Sequence, residues 1–213
     1  MGMRTGSVAG ALLALALLAP GAVLAEPIAE EGWLTACDLD TTPGGCLIEA
    51  GGFAFLVQEG QGTPDEVITY LAGLPPVSAI RFEGEILNMG DSTADLVLTS
   101  AAQVENIHEG NLQALQGDWT PEGAQTPFQI RIFGLEWQEW QGDEQQAAFA
   151  MVVGEICGNG IVPGAGTVIS LYRLGDDPED DGCWQVEYID DRSLTLRDFK
   201  GDQGQVTFAR VGP

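Results

Sequence analysis

Short apolar segments separated by turn residues fill the second half of the chain. Within them, apolar and polar residues alternate or form brief apolar runs, as in half-buried strands, and the separators are rich in Gly, Asn and Asp. The pattern predicts eight strands, at 117–121, 127–132, 135–141, 146–154, 165–174, 183–190, 193–199 and 204–211. Eight consecutive short strands joined by tight turns indicate an up-and-down antiparallel barrel.

The first half, 26–101, has mixed periodicity and predicts a small α+β unit with one short helix. Phe53–Val57 reads as a buried strand, and 79–87 with 94–98 reads as a hairpin. Thr63 is the expected N-cap of the helix, because Pro and two acids follow it directly and apolar residues recur on one face to Leu74.

A second helix is predicted at 103–116, where apolar residues recur at helical spacing. It joins the two halves, so residues 102–213 form a helix followed by the barrel. The predicted fold class is therefore mainly β, with a small α+β unit in front.

Residues 1–25 have the pattern of a secretory signal peptide. Arg4 precedes the apolar run Ala9–Ala19, and small residues end the segment at Val23–Ala25. The run is shorter than the roughly 20 residues that a membrane-spanning helix needs, so removal is favoured over anchoring. We expect a periplasmic or secreted protein with no membrane span after signal removal.

The four cysteines, Cys37, Cys46, Cys157 and Cys183, all lie beyond that segment. An even number in an oxidising compartment predicts two disulfides. Of the three possible pairings, Cys37–Cys46 and Cys157–Cys183 are preferred because each closes a local loop. A four-cysteine metal site is disfavoured, since the chain has no CxxC pair.

Charge excludes whole classes of partner. The chain has 32 Asp plus Glu against 8 Lys plus Arg, a formal net charge of −24. Loss of Arg4 with the leader makes the net charge −25. No nucleic acid is expected as a partner, and anionic lipid headgroups would be repelled. An excess of one sign favours solubility.

Arg210 shares one face of the last predicted strand with Val206 and Phe208, so it is expected to point into the barrel. Trp119 on the first strand is the natural partner, because first and last strands are neighbours in a closed barrel and Arg stacks on indole rings. A short helix leading into Gly117-x-Trp119, with an Arg from the final strand across that Trp, resembles the lipocalin or calycin superfamily over about residues 111–211. The resemblance assigns barrel closure to Gly117, Trp119 and Arg210. The extra N-terminal unit and the short strands depart from the family pattern.

Aromatic side chains concentrate in the barrel, and they predict either its core or the lining of a ligand pocket. The candidate lining residues are Trp137, Phe149, Met151, Trp184 and Tyr188. The leading hypothesis is an exported, non-enzymatic protein that binds a small apolar molecule in this barrel. The alternative is a protein-interaction or envelope-associated module that contacts another exported protein through its outer surface.

The polar candidates for chemistry are sparse. Asp177, Glu179 and Asp181 have the alternate spacing of a calcium loop, but a solvated acidic loop fits better because Tyr188 stands where a bidentate carboxylate is needed. His108, the one histidine, lies beside Glu109 with no nucleophile assigned to it. The carboxylate pairs Glu136/Glu139 and Asp190/Asp191 keep a hydrolase open as a third hypothesis. We therefore predict no enzyme activity, no cofactor and no catalytic residue.

Overall fold

The computed structural model describes the chain in six stretches: 26–124, 127–157, 160–161, 166–174, 182–199 and 204–212. The expected signal peptide and the calcium candidates Asp177, Glu179 and Asp181 lie outside the described residues. The described chain is mainly β, with two short helices. Neither helix is long and apolar enough to cross a membrane.

The first half is itself a closed barrel. Its elements are β1 (Glu26–Asp38), β2 (Gly45–Ala50), β3 (Phe53–Gln58), α1 (Asp65–Ala72), β4 (Ser78–Met89) and β5 (Thr93–Gln103). The strand order is β1-β2-β3-β5-β4, closed by pairing of β1 with β4, and β3 lies parallel to β5. This five-stranded Greek-key arrangement is that of OB-folds. The sequence predicted β3, β4, β5 and the helix here, but neither β1 nor β2.

One core fills this first barrel. It includes Leu34, Ile48, Phe55, Phe82 and Leu98, each at most 3% exposed, and α1 covers it with Ile68 and Leu71. The hairpin between β2 and β3 is possible because Gly51 and Gly52 both adopt positive φ, which suits a two-residue turn.

Helix α1 begins at Asp65. Thr63 was predicted to be its N-cap, but no side chain makes a capping hydrogen bond at this end of the helix. The Thr63 hydroxyl oxygen instead accepts a hydrogen bond of 2.9 Å from the backbone N–H of Leu98 on β5. Thr63 is only 5% exposed, so this bond ties the start of the helix to the barrel wall.

The second helix, α2, spans only Glu109–Leu115, which corrects the helix predicted at 103–116. Residues up to Gln103 belong to β5, where Gln103 pairs with Ile80 of β4. Sheet pairing outcompetes helix propensity there, because the strand satisfies its backbone groups against a buried neighbour.

The second barrel has eight antiparallel strands, as the sequence predicted. They close in the order β12-β13-β14-β15-β6-β7-β8-β9. Their bounds are β6 (Gly117–Pro121), β7 (Phe128–Phe133), β8 (Glu136–Gln141), β9 (Glu144–Gly154), β12 (Val168–Arg173), β13 (Gly182–Ile189), β14 (Ser193–Asp198) and β15 (Gln205–Arg210). A two-stranded hairpin of β10 (Ile156–Cys157) and β11 (Gly160–Ile161) was not predicted.

Both preferred disulfides are present. Cys37–Cys46 joins β1 to β2 with Cα atoms 4.0 Å apart, and Cys157–Cys183 joins β10 to β13 with Cα atoms 5.9 Å apart. No free cysteine remains. Each bridge lies within one barrel or beside it, so neither connects the two halves.

Candidate functional site

Arg210 closes the second barrel. Its guanidinium carbon lies 4.2 Å from the ring centroid of Trp119, and its Nη2 donates a 2.7 Å hydrogen bond to the carbonyl of Ala114 at the end of α2. Nη1 donates to the carbonyl of Gln116, and Nε donates to the carbonyl of Asp191 at 3.0 Å. A single side chain thus holds α2, the first strand and the β13–β14 turn together.

Gly117 makes room for this arrangement. A Cβ atom at this position would lie 2.7 Å from Nη1 of Arg210, and the φ of +113° is one that only glycine adopts readily. Trp119 is fully buried and donates from Nε1 to the carbonyl of Leu115 at 2.8 Å. The three residues assigned to barrel closure therefore meet at one end of the barrel, where α2 inserts Leu112 and Leu115.

The interior of the second barrel is occupied by its own side chains. Trp137, Phe149 and Met151 are at most 5% exposed and belong to one core cluster, with Trp184 packed against it. An eight-stranded barrel is just wide enough for side chains to fill. One polar atom stands out in this core, since the Nε1 of Trp137 is buried and has no hydrogen-bond partner among the described residues.

Tyr188 lies on the outside of the barrel, unlike the other four candidate lining residues. Its side chain is 54% exposed, and its hydroxyl donates a 2.6 Å hydrogen bond to Asp190. A register shift between Val186 and Tyr188 breaks the two-residue alternation of β13. Tyr188 therefore does not share a face with Trp184 and Val186, and its predicted place in the barrel lining is wrong.

The outer face of β9 and β12 carries an apolar strip, which we define as Ala148, Ala150, Val152, Tyr172 and Leu174. Register places Ala150 beside Tyr172, and the N–H of Leu174 donates to the carbonyl of Ala148 at 2.8 Å. Val152 is 53% exposed, Tyr172 42% and Leu174 56%. Adjacent exposed apolar side chains on one sheet face are a feature of contact surfaces.

A polar group borders the strip on β7 and β8. The guanidinium carbon of Arg131 lies 4.1 Å from the ring centroid of Trp140. The indole N–H of Trp140 donates to the side-chain oxygen of Gln138, and the side-chain Nε2 of Gln138 donates to the Glu136 carboxylate. The Nε of Arg131 lies 4.0 Å from Asp118 and makes no hydrogen bond to any described residue. This chain of contacts fixes the side chains on that face.

The two barrels contact each other through a defined set of side chains. Val77, just before β4, is fully buried in the core cluster of the second barrel, and Trp33 of β1 packs against the same cluster. Glu109 of α2 accepts a 3.0 Å hydrogen bond from the N–H of Ala79 and a 3.2 Å bond from Gln103. An open cleft of about 590 Å³ borders this connection, lined by 103–107 and the exposed side of α2.

Glu49 and Glu136 approach each other at this contact. A Cβ on Gly134 would lie 2.9 Å from the Cβ of Thr35 and 3.6 Å from Oε1 of Glu49, so Gly134 permits close packing of the barrels. Burial, and then the negative charge of Glu136, raise the pKa of Glu49 to about 7. Sequence reasoning missed this pair, because the two residues come from different barrels.

The candidate catalytic groups do not form a reactive set in the described residues. Glu136 and Glu139 are three residues apart in a strand and so point to opposite faces. Asp190 caps the β13–β14 turn: its pKa is lowered by hydrogen bonds from Tyr188 and from the backbone of Arg192 and Ser193. His108 has its ring Nδ1 3.4 Å from the hydroxyl of Thr167.

Metal-ligand geometry gives the same result. Among the described residues, no group of three or more His, Cys, Asp or Glu side chains could hold a metal ion.

Comparison of the chain with protein-family models, with curated proteins and with solved structures finds no match. The candidate site therefore consists of the closed barrel, its apolar strip and the contact between the barrels.

Proposed function

We propose that this is an exported, non-enzymatic binding protein that contacts a partner protein through the apolar strip on its second barrel. Export is supported by the leader pattern of 1–25 together with two disulfides, which form in oxidising compartments. The observation that carries the proposal is the exposure of Val152, Tyr172 and Leu174 side by side over a barrel whose interior is already occupied.

The barrel is best described as lipocalin-like. Eight antiparallel strands, a preceding short helix, and Arg210 stacked over Trp119 beside Gly117 support this description. In this chain the closed end and dense core provide a rigid wall for the strip, since packed interiors resist deformation. Binding on a rigid sheet avoids much of the ordering cost of association.

Charge indicates the partner's chemistry. Two acidic residues flank the strip, since Glu136 pairs with Ala150 in register and Glu155 follows β9. In the sequence, the acidic run Asp176–Asp181 comes after Leu174. The chain as a whole has a net charge of −24. The partner is therefore a protein whose contact surface is apolar at its centre and positively charged around it, which also accelerates encounter.

The test uses a fluorescent amphipathic peptide with one leucine face and one lysine face as the probe. We expect the double variant Val152→Ser/Leu174→Ser to weaken binding at least about tenfold, because two apolar anchors worth ~1.5 kcal/mol or more each are lost. Met89→Ser, at a residue 56% exposed on the first barrel, is the matched control and leaves binding unchanged. Equal binding by the double variant and the wild type would show that charge alone attracts the peptide, and would refute the proposal.

A small apolar ligand inside the barrel is the second candidate, and one observation favours it. The indole N–H of Trp137 is buried and has no acceptor within the part of the chain that the structure describes, and a ligand with an acceptor oxygen would satisfy it. A brominated fatty acid is the probe: binding inside would quench tryptophan fluorescence in the wild type, and Trp137→Phe would weaken its affinity. Absence of saturable quenching excludes this candidate.

A further inference from the structure

The contact between the barrels has a strained and tightly fitted backbone. Val77 adopts a φ of +55°, which is rare and costly for a β-branched residue, and its N–H donates a 2.6 Å hydrogen bond to the carbonyl of Leu34. Gln116 fixes the opposite side, since its side-chain oxygen accepts from the N–H of Gly134 at 2.7 Å. Strain at a position persists only where the surroundings determine it, so this contact is a specific one.

Glu49 also lies at the contact between the barrels. In the described part of the chain its carboxyl group has no hydrogen bond and no ion pair, although it is half-buried. The residues that face it are Thr35 and Trp33 on its own barrel, and Gly134 and Glu136 on the other. Glu136 is the charged group among them, and its charge has the same sign.

Ionisation of Glu49 therefore sets two negative charges against each other at a partly buried contact. A buried unpaired carboxylate is costly, and the cost is removed either by binding a proton or by admitting water. Separation of Gly134 from Thr35 would expose the Glu49 carboxylate further to water. Close packing of Gly134 and Thr35 around Glu49 thus makes the contact between the barrels depend on the proton of the Glu49 carboxyl group.

We propose that the contact between the barrels is a proton-controlled joint, which is closed while Glu49 is protonated and loosens when Glu49 ionises. Loosening moves Val77 and Trp33 away from the second barrel and frees Glu109 from Ala79. Acidification closes the joint again. The joint does not depend on the apolar strip, which lies on β9 and β12, so it stands or fails apart from the binding proposal.

Hydrogen exchange of the full-length mature chain tests this joint, with rates corrected for the intrinsic effect of pH. The reporters are the amide of Ala79, which donates to Glu109 across the joint, and the amides of α2. We expect their protection to fall about tenfold or more between about pH 5.5 and about pH 8.5, since each pKa unit passed is a tenfold change in equilibrium. The core amides of β14 serve as internal references.

Variants assign the effect to one carboxyl group. Glu49→Gln should retain the protected, closed state at both pH values, because an amide does not ionise.

 Glu136→Gln should lose amide protection at a lower pH than the wild type, and to a smaller extent, because Glu49 then ionises without a facing charge. Glu85→Gln removes an equal charge from an exposed position on β4 and should behave as the wild type.

Every variant is also made with His108→Gln, which removes the one histidine of the chain. A pH-dependent loss of protection that persists in Glu49→Gln would overturn the joint, and so would uniform protection of the wild type at both pH values. If Glu49→Gln fails to fold, Glu136→Gln still tests the joint, because the midpoint of its loss of protection should lie at lower pH than that of the wild type.

Discussion

Arg210 shows how much of the second barrel depends on one side chain. Its guanidinium donates to the carbonyls of Ala114, Gln116 and Asp191 while stacking on Trp119. A lysine ammonium is a compact charge without the planar fork, so it cannot reach three carbonyls and cover an indole at once. The geometry therefore distinguishes Arg from Lys at this position.

Arg210→Lys is expected to lower the free energy of unfolding by about 2–4 kcal/mol, because partly buried carbonyls lose their charged donors. Urea denaturation followed by tryptophan fluorescence measures the change. Arg192→Lys is the matched control, since the Arg192 side chain is 88% exposed, and it should cost less than about 0.5 kcal/mol. Equal losses in the two variants would contradict the closing role of Arg210.

Glu49 gives a pH-dependent contribution of known sign. Folding raises its pKa from 4.5 to about 7. The folded state then binds more protons than the unfolded state between these values, so stability is highest below the lower value and falls as pH rises through the upper one.

Glu49→Gln should therefore raise the free energy of unfolding at about pH 8 by about 1–2 kcal/mol, a figure reduced for partial exposure to solvent. At about pH 4 it should change little, because Glu49 is then protonated in both states. Denaturant titrations at a series of pH values measure this, with Glu85→Gln as the control. A stabilisation of equal size at both pH values would argue against titration of Glu49.

At the scale of elements, the sequence predicted the strands that pair with their neighbours along the chain. It did not predict pairing between distant segments. The strand predicted at 193–199 is Ser193–Asp198, because each strand of the second barrel pairs with its sequence neighbour. Strand β1 was missed because Glu30 and Glu31 break its apolar pattern and its partner β4 lies some 50 residues away, as in the pair Glu31 with Arg81. The Gly51–Gly52 turn was a local signal for β2, because it joins β2 to the predicted strand β3.

The candidate site divides in the same way. Strand alternation placed Trp137, Phe149 and Met151 correctly in one buried cluster, whereas the register shift before Tyr188 has no plain sequence signature. The pair Glu49 and Glu136 depends on how two separate barrels pack. Such contacts carry no periodicity, so residue pattern alone could not indicate them.

The two disulfides differ in the length of chain that they close. Cys157–Cys183 spans 26 residues and Cys37–Cys46 spans 9. Loop-closure entropy then gives a stabilisation of about 3.5 kcal/mol for the first and about 2.6 kcal/mol for the second.

Replacing both cysteines of a bridge by alanine should therefore cost about 1 kcal/mol more for Cys157/Cys183 than for Cys37/Cys46. The comparison is fair, because each bridge has one cysteine at most 6% exposed, Cys46 or Cys157. Equilibrium urea denaturation of the two double variants measures the difference. A larger loss on removing Cys37–Cys46 would show that packing around Cys46 outweighs loop closure.

At the scale of the whole molecule, the two barrels share no strand pairing among the described residues and yet share a core. Val77 of the first barrel lies in the cluster formed by Leu112, Leu115 and Trp119 of the second. Unfolding of either barrel exposes this side chain, so the contact couples their stabilities. We therefore expect a single unfolding transition below about pH 6, where the contact is closed.

Val77→Gly should divide that transition into two. Glycine adopts a φ of +55° without strain, so the backbone of the first barrel is kept while the apolar contact with the second is lost. Differential scanning calorimetry measures the result as two separate peaks. Val57→Ala, in the core of the first barrel and away from the second, is the control: it lowers the melting temperature but retains one peak. A single peak in Val77→Gly would mean that the barrels are coupled through Glu109 and Trp33 without need of Val77.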